Sequence, residues 1–157
     1  MSIFTDQEQK IAQQAAKIGR QCGQCSLCCK LLDVPEAGKE DGKWCPHVRP
    51  GLGGCSIYKD RPNPCRAYAC AWLVTPLPDH WQPLHSHMIV DFHIARKDAG
   101  MTMRIHVDPE HPHAWRQEPY ISEIRAMAER GATGKPRIPV VIKVGHDRIE
   151  VRYDAAA

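Results

Sequence analysis

Residues 22–72 read CGQCSLCCKLLDVPEAGKEDGKWCPHVRPGLGGCSIYKDRPNPCRAYACAW, and all eight cysteines of the 157-residue chain fall inside this stretch. Two residues separate Cys22 from Cys25 and Cys25 from Cys28, and Cys29 follows directly. Cys45, Cys55, Cys65 and Cys70 complete the set at intervals of ten, ten and five residues. Apolar periodicity is weak here, and glycine and proline are frequent. The segment is therefore expected to be loop-rich and to need internal cross-links.

What kind of cross-link depends on the compartment. The start, MSIFTDQEQKIAQQAAKIG, lacks the basic n-region, apolar run and small-residue cleavage site of a signal peptide. No stretch approaches the roughly 18 apolar residues of a membrane span, and no lipidation motif is present. The expected location is the cytoplasm, where thiols stay reduced. A dense cysteine cluster in that setting reads as a metal site rather than as four disulfides. The composition agrees with a need for such a staple. Leu, Ile, Val and Phe make up only about one residue in five, while the net charge is too low for plain disorder.

Two residues between thiolates let both sulfurs reach one metal across a tight turn, as Cys22 and Cys25 can. Cys28 and Cys29 are adjacent, and neighbouring side chains usually diverge, so they can serve two sites, or one of them can be structural. The downstream four form no second C-x2-C knuckle, which sets the pattern apart from an ordinary zinc ribbon. Eight thiolates suffice for two zinc sites of four sulfurs each. Four can instead hold an iron–sulfur cluster, for which C-x2-C-x2-C is a familiar fragment. His47, in Cys45-Pro46-His47, can replace one thiolate or sit just behind the ligands. Arg61 and Arg66 are the expected donors to the sulfurs, since a guanidinium serves several acceptors at once.

Charge is consistent with a thiolate centre. Between residues 20 and 70 eight Lys and Arg face five acids, and the rest of the chain balances, so the whole excess of +3 sits in the cysteine segment. That excess is too small and too scattered for a nucleic-acid face.

These residues resemble a family. Cys22-x2-Cys25-x2-Cys28-Cys29, Trp44-Cys45-Pro46-His47, Gly54-Cys55-Ser56-Ile57-Tyr58 and Arg61-Pro62-x2-Cys65-Arg66 with Cys70 look like the CxxCxxCC zinc- or iron-chelating protein family. The resemblance covers about a third of the chain. It implies a metal-binding domain of bacterial type with the eight cysteines as ligands. It carries no reaction and leaves the choice between zinc and iron open.

Around this segment the chain reads as α+β. Residues 5–20 predict a helix, with Thr5 and Glu8 fitting a capping box and Ile11, Ala15 and Ile18 on one face. Met88, Val90, Phe92 and Ile94 alternate with Ile89, Asp91 and His93, which predicts a strand. Met101–Val107 predicts a second, with a hairpin turn at Lys97-Asp98-Ala99-Gly100 between them. Glu118–Arg130 predicts a helix ended by Gly131. Val140–Val144 and Ile149–Tyr153 predict a final hairpin. The expectation is one compact domain over residues 1–157. A cysteine-rich segment at 20–72 precedes a β-β-α-β-β segment at 86–154, which folds as a small antiparallel sheet packed with one helix.

A second candidate site lies on that sheet. His85, His87, Asp91 and His93 share parity along the first strand, and Arg104, His106 and Asp108 along the second. Together they can form a His/Asp patch able to bind metal or move protons, although a solvated polar face is the simpler reading. Gly131–Pro136 lacks the spacing and preceding strand of a phosphate loop and reads as a helix end. No Ser-His-Asp or Cys-His pair emerges. The function read from the sequence is metal binding, chiefly structural, with zinc ahead of iron–sulfur. An iron–sulfur redox protein, or an enzyme using the sheet-face residues, are the alternatives.

Overall fold

The computed structural model describes residues 3–95 and 99–154. They group into two units, Met1–Ile89 and Val90–Ala157.

The first unit begins with helix α1 (Ile3–Ile18), two residues ahead of the expected span. Thr5 thus lies inside its first turn rather than at its cap. Ile11, Ala15 and Ile18 do turn inward, with Ala15 fully buried. Gly19 ends the helix in the left-handed region at φ 76°, and its N–H bonds back to Ala16. Short helical turns follow: α2 (Cys28–Leu31), α3 (Asn63–Ala67), α4 (Ala71–Val74) and α5 (Pro83–Ser86). α1 packs on α3 and α4.

Polar staples add to a core that includes Val34, Trp72, Leu73, Trp81 and Met88. The Arg20 guanidinium donates to the carbonyls of Trp72, Thr75 and Leu77 and to Asp79 Oδ1 at 2.8 Å, and lies 4.6 Å from the Trp72 ring. Glu8 pairs with both Arg61 and Arg66, joining α1 to the α3 region. Among the described residues, one apolar cluster has Leu27, Leu31 and Ile89 as its buried members, with Cys25, Cys28, Tyr68 and Cys70 packed against it.

The sheet has strand order β1-β2-β3-β4, with β1 (Met88–Ile94), β2 (Met101–Val107), β3 (Val140–Val144) and β4 (Asp147–Val151). It is mixed, not antiparallel. β2 and β3 run parallel, with Ile105 opposite Ile142, whereas β3 and β4 are antiparallel. The reason is the crossover. Helix α6 (Tyr120–Thr133) lies between β2 and β3 and carries the chain back to the starting edge, so the next strand runs the same way. The α+β class stands. Lys97 and Asp98 of the turn expected at Lys97–Gly100 lie outside the described residues.

α6 packs on β3 and β4 and buries Ile124, Met127 and Ala128. It runs three residues past Arg130, so Gly131 is inside its last turn and not its stop. Glycine is required there for another reason. A Cβ on Gly131 would lie 2.0 Å from the Ile138 carbonyl oxygen, which approaches as the chain turns toward β3. The final hairpin turns at Gly145-His146, with Gly145 at φ 57°.

Candidate metal centre

All eight cysteines are free thiols, and all lie in the first unit. Local chemistry explains how they are presented. Gly23, at φ 57°, allows the tight turn in which the Cys25 N–H bonds to the Cys22 carbonyl at 2.9 Å. Gly53 lies against that turn, where a Cβ would stand 2.8 Å from the Gly23 carbonyl oxygen. This close approach sets the 51–54 loop, and with it Cys55, beside the first knuckle. Cys28 opens α2 and Cys29 follows it. The Cys45 N–H bonds to the Cys29 carbonyl at 2.8 Å. An antiparallel bridge between Val48 and Cys55 closes the loop between them, and just outside it the His47 carbonyl accepts from the Ser56 N–H at 2.8 Å. Cys65 sits within α3, and Cys70 precedes α4.

The side chains gather without closing onto a point. Among the described residues no three cysteine sulfurs lie within 4.8 Å of one another. Neighbourhoods are nonetheless definite. Cys70 feels the charges of Cys22 and Cys25, and Cys65 those of Cys29, Cys45 and Cys55. The Cys28 thiol bonds to Cys29 and lies in reach of Cys22 and Cys25.

Electrostatics sort these thiols. Burial pushes Cys70 up to about 11 and raises Cys22, Cys25 and Cys65 as well. Cys28 is raised by its hydrogen bond to Cys29 and by burial. Cys29 alone moves down, to about 7. The bond from Cys28 outweighs its burial, and Lys39 and Arg61 add to the effect. Soft, free, clustered thiols of this kind suit zinc or iron once deprotonated.

The two arginines part company. Arg66 spends its nitrogens on the Arg61 carbonyl at 3.1 Å, Glu8 at 3.3 Å and the Lys59 carbonyl. It shapes the loop. Arg61 pairs with Glu8, and its guanidinium lies 3.9 Å from the Tyr58 ring centre, but its Nε is buried with no hydrogen-bond partner. That same guanidinium is in electrostatic reach of Cys22, Cys29 and Cys65. A buried N–H left over beside sulfurs fits the charge that loaded thiolates would carry.

Lys39 was not among the expected residues. It is 2% exposed, donates to the carbonyls of Lys30 (2.7 Å), Leu32 and Glu40, and stands near Cys29 and Cys45. Lysine is seldom buried, so composition gives no hint of this role. The one available signal was the turn residue Gly38, at φ 64°, which folds Lys39 back onto Val34.

In the second unit, Asp91, Arg104 and His106 do come together. Arg104 Nε and Nη2 donate to the two Asp91 oxygens at 2.8 and 3.1 Å, and His106 Nε2 lies 3.1 Å from Asp91 Oδ2. The expectation of a solvated face fails here, because Asp91, His106 and Asp108 are all buried, although His85 and His93 are exposed. Burial alone would raise the Asp91 carboxyl, but the bonds from His106 and Arg104 hold it down to about 2. Both carboxylate oxygens are engaged, which suits a structural ion pair better than a base.

Among the described residues, no helix is long and apolar enough to cross a membrane. Compared with known proteins, the chain matches no family model, no curated protein and no solved structure at a significant level.

Proposed function

We propose that this chain is a metal-binding protein whose eight cysteine thiolates hold zinc, and that the metal serves the fold rather than a reaction. The observation that carries this reading is the gathering of eight free thiols in one loop-rich segment, with Cys25, Cys28 and Cys70 against the Leu27, Leu31 and Ile89 cluster. A segment built of loops and single helical turns gains from a cross-link, and bound zinc supplies one. Cys22, Cys25, Cys28, Cys29, Cys45, Cys55, Cys65 and Cys70 would be the ligands. The orphaned Nε of Arg61 supports a thiolate centre beside it. The cysteine spacing and the resemblance to the CxxCxxCC family point the same way. Reduced thiols fit a cytoplasmic location.

Anaerobic purification with elemental analysis tests the proposal. Roughly two zinc ions per chain are expected if every thiolate is used four to a site. A brown preparation rich in iron and sulfide would replace zinc with a cluster. Less than one equivalent of any metal would refute metal binding.

A further inference from the structure

The eight thiols sort into two sets of four, and we infer that Cys22, Cys25, Cys28 and Cys70 hold one ion while Cys29, Cys45, Cys55 and Cys65 hold another. This rests on the metal-binding reading above and says how the ligands are divided.

Packing defines the first set. Cys25, Cys28 and Cys70 all lie against the Leu27, Leu31 and Ile89 cluster. Cys22 joins them through the turn bond to Cys25, and Cys70 is in electrostatic reach of both. Backbone ties define the second set. The Cys29 carbonyl holds the Cys45 N–H, and the Val48–Cys55 bridge folds the loop from Cys45 to Cys55 back on itself. Cys65 has these same three, Cys29, Cys45 and Cys55, as its thiol neighbours.

The adjacent pair marks the boundary. Consecutive residues at the start of α2 leave the helix about 100° apart, so Cys28 and Cys29, whose thiols bond to each other, can each turn to a different ion while staying neighbours. Cys29 does lie within reach of Cys22 and Cys25 as well, as a residue at the junction must. Two features assign it to the second set. Cys28, not Cys29, packs on the apolar cluster, and Cys29 shares the neighbouring cation Lys39 with Cys45. The first centre is thus backed by hydrocarbon and the second by positive charge.

Replacement of the native metal by cadmium-113 tests this in the unmutated chain. Proton–cadmium correlation should give two cadmium resonances. One should couple to the β-protons of Cys22, Cys25, Cys28 and Cys70, the other to those of Cys29, Cys45, Cys55 and Cys65. A single resonance, a cysteine coupled to both ions, or couplings that cross the sets would overturn the division while leaving metal binding intact. No bound cadmium would sink both readings. Paired variants give a second measure. Cys22→Ser with Cys70→Ser should keep one ion per chain, whereas Cys55→Ser with Cys70→Ser should keep none. Should a variant fail to fold, the couplings of the unmutated chain still decide.

Discussion

Asp91 accepts from Arg104 and His106 with both oxygens, and the consequence can be measured by titration. Its carboxyl sits at about 2 in the fold, below the roughly 3.9 of an unfolded aspartate. A depressed carboxylate stabilises fully above the unfolded value and loses its effect as pH falls through the folded one. Two units correspond to about 2–3 kcal/mol. Asp91→Asn should therefore speed hydrogen exchange in β2 and β3 at pH 6 by that amount, and the gap from wild type should close between about pH 4 and 2. A gap that persists undiminished at pH 2 would refute the ion-pair account. A second residue-scale prediction concerns Arg61. Arg61→Lys keeps the charge but removes the buried Nε–H, so zinc affinity in a chelator competition should drop roughly 10–100-fold. Arg66→Lys should leave that affinity within about threefold. Equal effects would mean that the two arginines act alike. The parity of Asp91, Arg104 and His106 was legible in the sequence. Their burial was not, because alternation reports which face a residue takes and not what covers that face.

Among the elements, α6 shows how tertiary contact overrides a local signal. Gly131 reads as a helix terminator, yet the helix continues and the glycine makes room for the Ile138 carbonyl. In an open helix Gly→Ala would add up to about 1 kcal/mol of stability. Gly131→Ala should instead destabilise by about 1–3 kcal/mol, since a Cβ at that distance forces the backbone apart. A raised melting temperature for this variant would contradict the close approach. The strands themselves were legible from their alternation, to within two residues at most boundaries. Strand direction was not. Side-chain periodicity is the same in parallel and antiparallel pairs, so only the path of α6 decides that β3 runs with β2.

At the scale of the whole molecule, the two units draw on different sources of stability. Val90–Ala157 buries Ile105, Val107, Ile124, Val140 and Ile142 in its own core. Met1–Ile89 adds to its buried Trp72, Leu73, Trp81 and Met88 the polar staples of Arg20 and Glu8 and, on the proposed reading, metal. Structural zinc contributes roughly 10–16 kcal/mol of apparent binding free energy in small peptides, against about 5–15 kcal/mol for the stability of a typical domain. Complete chelation should therefore abolish exchange protection within residues 20–72 while β2 and β3 stay protected. Unchanged protection in both regions after metal removal would refute a structural role. The cysteine pattern made the candidate site legible, but not the cations that serve it. Lys39 reaches its place through a turn that no periodicity announces.

Arg20 stands just before Cys22, and the carbonyls it gathers begin at Trp72, just after Cys70. Its guanidinium therefore closes a ring of chain 52 residues around. For a flexible chain, bringing such ends together costs about 3.5 kcal/mol of entropy. Once the ring is shut, Cys70 meets the Cys22 knuckle at a high effective concentration instead of searching for it. Arg20 thus acts as a clasp, and its influence on metal should far exceed its reach. Arg20→Met, which keeps an unbranched apolar stem against Trp72, should weaken zinc binding by up to a few hundredfold without altering any candidate ligand. An unchanged affinity would mean that the sulfurs find one another without the clasp.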